Sequence, residues 1–165
     1  IVGEAAGAAG EGKSRDEVCE VARRAAGRAR IFAAVPTLDF LIRGGRIGHL
    51  PGLVAPAIGI CPILTVGPDG RAAKGGAARG FARAVRKVVD LALSQTRGDP
   101  APTFGVAHFG AAELADEVAA ELLSKHPGAE HFVTEVAPVL AAHAGPGAVA
   151  VGFLAAETRD SSESP

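Results

Sequence analysis

Residues 143–153 read HAGPGAVAVGF. A histidine stands directly before a Gly-Pro-Gly turn, and small residues then alternate with valine and phenylalanine. Five to seven apolar residues of this kind, bounded by turn signals, read as a buried strand over 148–154. Proline fixes φ in the turn, and its glycines allow the tight reversal. A histidine held by so rigid a turn at the end of a buried strand can read a ligand. The other reading is a hydrogen-bonded structural side chain.

Working outward, HFVTEV (131–136) and TFGVAHF (103–109) repeat the strand pattern, with the helical stretch AAELADEVAAELLSKH (111–126) between them. AARGFARAVRKVVDLALSQ (77–95) is the clearest helix. Phe81, Ala84, Val85, Val88, Val89 and Ala92 recur at three and four residues, with the charged side chains largely off that face. CPILTV (61–66) and IFAAV (31–35) read as strands, and GPDG (67–70) as a turn. LDFLIR is a short helix after a Thr37 cap, ended by Gly44 and Gly45. HLPGLVAPAIGI (49–60), with two prolines, reads as a broken helix. In SRDEVCEVARRAAGRAR, Ser14 and Glu17 have the spacing of a capping box, opening a helix that ends near Arg30. The polar tail ETRDSSESP is expected to be disordered. Strands alternating with helices predict an α/β sandwich, and alternation alone suggests a parallel sheet.

The chain has 165 residues, enough for one domain with a core and too few for two ordinary ones. It carries 17 basic and 18 acidic residues and 4% aromatics, which argues against a nucleic-acid binder. No apolar stretch approaches the roughly twenty residues that span a bilayer, and the start has no signal-peptide pattern. Cys19 and Cys61 lie in unlike contexts and read as two reduced thiols, which fits a cytoplasmic protein. There is no methionine, and Ile1 falls within what reads as an element already under way. A fragment of a longer protein is therefore expected.

Three stretches carry candidate chemistry. RGGRIG (43–48) sets two glycines between arginines and would aim Arg46 in one direction. It reads equally as a helix C-cap with a solvated arginine. KGGAARGFAR (74–83) runs a second Gly-Gly pair into a helix start, where free N–H groups favour an anion. Arg79 then falls in or near the first turn, opposed to the helix dipole, unless its head simply reaches solvent. His143 before Gly145-Pro146-Gly147 is the third. His108 reads as structural, and His49, His126 and His131 as surface or helix-end residues. No histidine pair has metal spacing, and there is no nucleophile elbow, paired carboxylate site or phosphate loop.

Together LDFLIRGGRIG, CPILTVGPDGRAAKGGAARGFARAV and VAPVLAAHAGPGAVAVGF resemble the C-terminal domain of the DegV family of bacterial fatty-acid-binding proteins. The resemblance runs from about Val2 to Leu154. It departs from the family at Ala144, where threonine is usual, and at Arg79-Gly80-Phe81, where a more basic helix start is usual. It implies a mixed, largely antiparallel sheet with packed helices. It implies that residues 1–30 end a preceding N-terminal domain, that 31–156 form the lipid-binding domain, and that 157–165 are a tail. It implies a long-chain fatty acid in an apolar tunnel, with its carboxylate met by His143, Gly145, Gly147, Arg46 and Arg79. It further implies presentation of that carboxylate to a separate fatty acid kinase subunit, no cofactor, no catalytic residue of its own, and at most transient membrane contact. The rival readings are a ligand-free interaction domain and an enzyme acting on a bound acid.

Overall fold

The computed structural model describes residues 1–45, 59–67 and 69–156. The elements run α1 (Val2–Gly10), α2 (Arg15–Arg28), β1 (Ala29–Ala34), α3 (Asp39–Arg43), β2 (Ile60–Val66), β3 (Ala72–Arg79) and α4 (Phe81–Gln95). They continue β4 (Thr103–His108), α5 (Ala112–Lys125), β5 (Glu130–Glu135), α6 (Pro138–Ala144) and β6 (Val149–Leu154). Among the described residues six strands form one sheet in the order β3-β2-β1-β6-β4-β5. Only the β4–β5 pair is parallel, so the sheet is mixed and largely antiparallel. The parallel sheet suggested by alternation alone is overturned, because most neighbours in the sheet run in opposite directions.

Alternation along the strands divides the sheet into two unlike faces. Phe32, Ala34, Ile63, Phe104, Val106, Val149, Val151 and Phe153 point to one face and are buried under α4 and α5. Those helices contribute Ala84, Val85, Val88, Val89 and Ala92 from α4, and Ala115, Val118, Ala119 and Leu122 from α5. The α4 set is the stripe expected from the sequence. On the other face the cross-strand rows are Leu64–Ala33–Ala150–Ala107 and Ile31–Gly152–Gly105–Phe132. The neighbouring strands β6 and β4 therefore present alanine and glycine at these rows, and Ile31 and Phe132 are exposed.

Two elements differ from the sequence reading. Residues 72–79, AAKGGAAR, form an edge strand instead of leading into a helix. Alanine and glycine carry no strand signal, and pairing with β2 overrides that weak propensity. The register shifts between Ile63 and Leu64, leaving Gly75 as the extra residue of a bulge. α4 accordingly begins at Phe81, not near 77. The other difference is α6, a short helix over 138–144 with Pro138 in its first turn, where proline's missing N–H costs nothing.

The capping box forms as expected. The Ser14 N–H donates to the Glu17 carboxylate at 2.8 Å, and the Glu17 N–H donates to Ser14 Oγ at 3.4 Å. The Asp39 N–H donates to Thr37 Oγ1 at 3.2 Å, which fixes the entry to α3. The broken helix expected at 49–60 lies outside the described residues apart from Gly59 and Ile60, and so does the tail at 157–165.

Candidate functional site

β1 and β6 are antiparallel neighbours, and Ala34 at the end of β1 faces Val149 at the start of β6. The chain leaving β1 and the chain entering β6 must therefore meet at one end of the sheet. The first carries α3 and the second carries α6, and the two short helices pack on each other. Val35, Leu38, Leu41 and Ala148 make a small apolar cluster there, joined by Leu64 and Ala144. Leu64 belongs to the small-residue face, so this cluster closes one end of that face.

Two of the stretches singled out by sequence touch here. A Cβ built on Gly44 would lie 2.2 Å from His143 Nδ1 and 2.7 Å from its Cε1. A Cβ on Gly145 would lie 2.3 Å from Phe40 Cδ2, and one on Gly147 would lie 3.3 Å from Pro36 Cγ. Each glycine admits a ring from the other segment. Gly145 and Gly147 have φ of 78° and 84°, values that disfavour any side chain. The turn is tied down by Gly147 N–H donating to Phe109 O at 2.7 Å and by Phe109 N–H donating to Ala148 O at 3.0 Å.

His143 lies in the last turn of α6, not at a strand end as the sequence suggested. The Gly-Pro-Gly turn separates it from β6. Its ring is half-buried, and Nδ1 is buried with no hydrogen-bond partner among the described residues. Buried polar atoms are nearly always paired, so an unpaired one calls for an explanation.

Arg79 is the last residue of β3 and faces Ile60 across the β2 pair. It precedes the helix instead of sitting in its first turn, and its backbone carbonyl accepts from Arg83 Nη1 at 3.3 Å. The dipole conflict inferred from sequence therefore disappears. Arg79 lies at the same end of the sheet as His143, but two strands separate β3 from β6, an offset of about 14 Å at the usual strand spacing. Arg46 lies outside the described residues. His108, also at this end, accepts from the Ala111 N–H at 3.4 Å and supports the start of α5, as a structural histidine does.

In the sequence Gly44 reads as a helix end and Arg46 as the site residue, and neither Gly44 nor Phe40 is marked as the residue that meets the histidine segment. No local signal exposes that contact, because it depends on β1 pairing with β6.

Two open depressions mark the described surface. One, of about 600 Å³, lies on α4 among Arg83, Arg86, Lys87 and Asp90; the other, of about 480 Å³, lies where α1 and α2 meet Thr103 and Leu154. Neither touches His143, and neither is an enclosed apolar tunnel. Among the described residues no group of three or more His, Cys, Asp or Glu could hold a metal ion. No helix there is long and apolar enough to cross a membrane. Both cysteines are free, Cys19 exposed and Cys61 buried.

The family described as uncharacterised proteins of the DegV family matches residues 1–156. A DegV domain-containing protein of Mycobacterium tuberculosis is 36% identical over 145 residues, 87% of this chain and 51% of the relative. One from Streptomyces coelicolor is 33% identical over 148 residues, 89% of this chain and 52% of the relative. The chain thus spans about half the length of the curated relatives it matches. A DegV family protein of Corynebacterium glutamicum superposes with a TM-score of 0.82 at 26% identity, covering 94% of this chain and 59% of that one. A Thermus thermophilus DegV family protein, whose structure is described as fatty acid binding, gives 0.82 at 26% identity over 92% of this chain and 54% of that one. With a family match over nearly every residue and the same fold in solved relatives, the chain belongs to the DegV family.

Proposed function

We propose that this chain is the fatty-acid-binding half of a two-domain protein, and that its small-residue sheet face carries the acyl tail toward His143. The observation that carries this reading is the row Ile31–Gly152–Gly105–Phe132, in which the Phe132 ring lies over Gly105 and Gly152 stays open beside it, a Cβ there meeting only backbone oxygens. The face under α4 and α5 is filled, since Ile63, Phe104, Val106, Val151 and Leu122 are fully buried there. Along the opposite face Gly105, Ala107, Ala150 and Gly152 are only partly buried, and in this reading the alkyl chain lies over them. Burying a methylene contributes about 0.8 kcal/mol, so the tail supplies most of the affinity. The carboxylate needs donors, because an unpaired buried charge is costly. His143, at the end of that face, supplies one hydrogen bond, with Gly145 and Gly147 fixing its approach. The fatty acid described for the Thermus thermophilus relative supports the ligand class.

Half the length of the relatives lies beyond this chain's match, and in this reading an N-terminal domain, into which residues 1–30 lead, closes the head-group end. Arg79 and Arg46 belong to the surface that meets a fatty acid kinase subunit, which carries out the phosphoryl transfer.

Organic extraction followed by mass spectrometry of the full-length protein should release a long-chain fatty acid. His143→Ala should weaken palmitate binding by about 1.5–3 kcal/mol, the scale of a hydrogen bond to a charged group. Arg79→Ala should impair acyl-phosphate formation with the kinase more than lipid binding. No extracted lipid, together with palmitate affinity indifferent to His143, overturns the reading.

A further inference from the structure

Gly44 has a feature that its backbone does not explain. Its φ of −77° and ψ of −1° suit any amino acid. The turn's left-handed conformation falls on the next residue, Gly45, at φ 69°. What excludes a side chain at Gly44 is the His143 ring, with Nδ1 2.2 Å and Cε1 2.7 Å from where a Cβ would be. The same ring buries Nδ1 without a partner, while His143 as a whole is only half-buried.

We infer that Gly44 is a positioning residue for His143: its bare Cα seats the ring with Nδ1 covered, so that Nε2 alone is presented to a ligand. The inference rests on the proposed role of His143. A neutral imidazole has one N–H donor and one lone pair. A carboxylate needs the donor, so the proton belongs on Nε2 and the lone pair on Nδ1 faces Gly44. The seat is held from both sides. Phe40, on the same short helix as Gly44, fills the space over Gly145, two residues after His143. Ring and seat therefore move as one unit. A methyl at Gly44 displaces the ring, because the ring is a movable side chain and the other close atom, Phe40 O at 3.1 Å, belongs to the backbone.

The test uses the full-length protein labelled with 15N at histidine, in parent, Gly44→Ala, His143→Ala and double-variant forms. Without ligand, the His143 ring of the parent should show the tautomer protonated at Nε2, and its resonances should shift in Gly44→Ala. Palmitate binding should weaken about tenfold or more in Gly44→Ala. In the His143→Ala background, adding Gly44→Ala should change affinity little, since the group it displaces is gone. If Gly44→Ala folds poorly, the double variant should recover its thermal stability. Unchanged ring resonances, an Nδ1-protonated parent, or the same affinity loss with and without His143 overturns the inference. Should the parent bind no palmitate, the fatty-acid reading fails, while the ring resonances still decide the role of Gly44.

Discussion

The two faces of the sheet come from the same strands and do opposite things. β4 places Phe104, Val106 and His108 on the covered face and Thr103, Gly105 and Ala107 on the other. β6 places Val149, Val151 and Phe153 under the helices and Ala150, Gly152 and Leu154 opposite. An antiparallel sheet with one face in water ordinarily turns polar side chains to that side. Here the uncovered side instead carries alanine and glycine along the neighbouring strands β6 and β4, with Ile31 and Phe132 flanking them. The covered face holds the domain together, and the low face carries these small residues. On the proposed reading, stability and binding fall to alternate residues of one strand, so each should be open to perturbation with little cost to the other.

Two phenylalanines test that division most severely. Phe104 is fully buried in the core, beside Val106 and Leu122. Phe132 is 57% exposed on the other face, its ring lying over Gly105. Phe104→Ala should cost about 3–5 kcal/mol in chemical denaturation. Phe132→Ala should cost less than about 1 kcal/mol. Comparable losses would mean that the low face is part of the core, and the division of labour would fall.

Next in size is a change that should leave folding alone and harm binding. A Cβ at Gly152 would meet only the backbone oxygens of Arg30 and Gly105, at 3.7 and 3.8 Å, which is ordinary contact. Gly152→Leu should therefore fold. Its side chain would occupy the space of about three methylenes of ligand, so palmitate binding should weaken by roughly 2–3 kcal/mol. Calorimetric titration of the full-length protein measures this, with thermal unfolding as the control. Undiminished affinity would place the acyl tail elsewhere.

Much of this frame was legible in the sequence, and the failures have physical causes. Strong periodicity identified α4 from Phe81 to Ala92, and Ser14 with Glu17 announced the start of α2. β3 escaped because AAKGGAAR has no branched or aromatic residue, and its strand form depends on β2. That error displaced the start of α4 and put Arg79 on the wrong element. The direction of the strands is not readable from alternation, which suggests parallel neighbours; their largely antiparallel character is what the family resemblance implies, and their order is seen only in the structure. The site was half legible. His143 and its turn stood out because glycine and proline restrict the backbone locally. The seat at Gly44 did not, because nothing near residue 44 in the sequence indicates that a ring from α6 will cover it.

The smallest effect tests the covered face at its margin. Cys61 on β2 is 7% exposed, with Sγ 3.6 Å from Pro36 O, and burial raises its thiol above the ordinary range. Burial disfavours the thiolate, so the folded protein keeps the proton to higher pH than the unfolded chain does. With the folded value raised, this contribution to stability is fully present below the unfolded thiol's range and is lost as pH rises through the folded value. Stability should thus decline on the alkaline side, and Cys61→Ala should lose that component of the decline. Cys19, exposed on α2, supplies the comparison for thiol reactivity. Alkylation should follow exposure, with Cys19 modified readily in the folded protein and Cys61 only when the covered face opens. Equal alkylation rates for the two thiols would show that the β2 margin is not sealed, and would confine the packed face to the strands from β1 to β4.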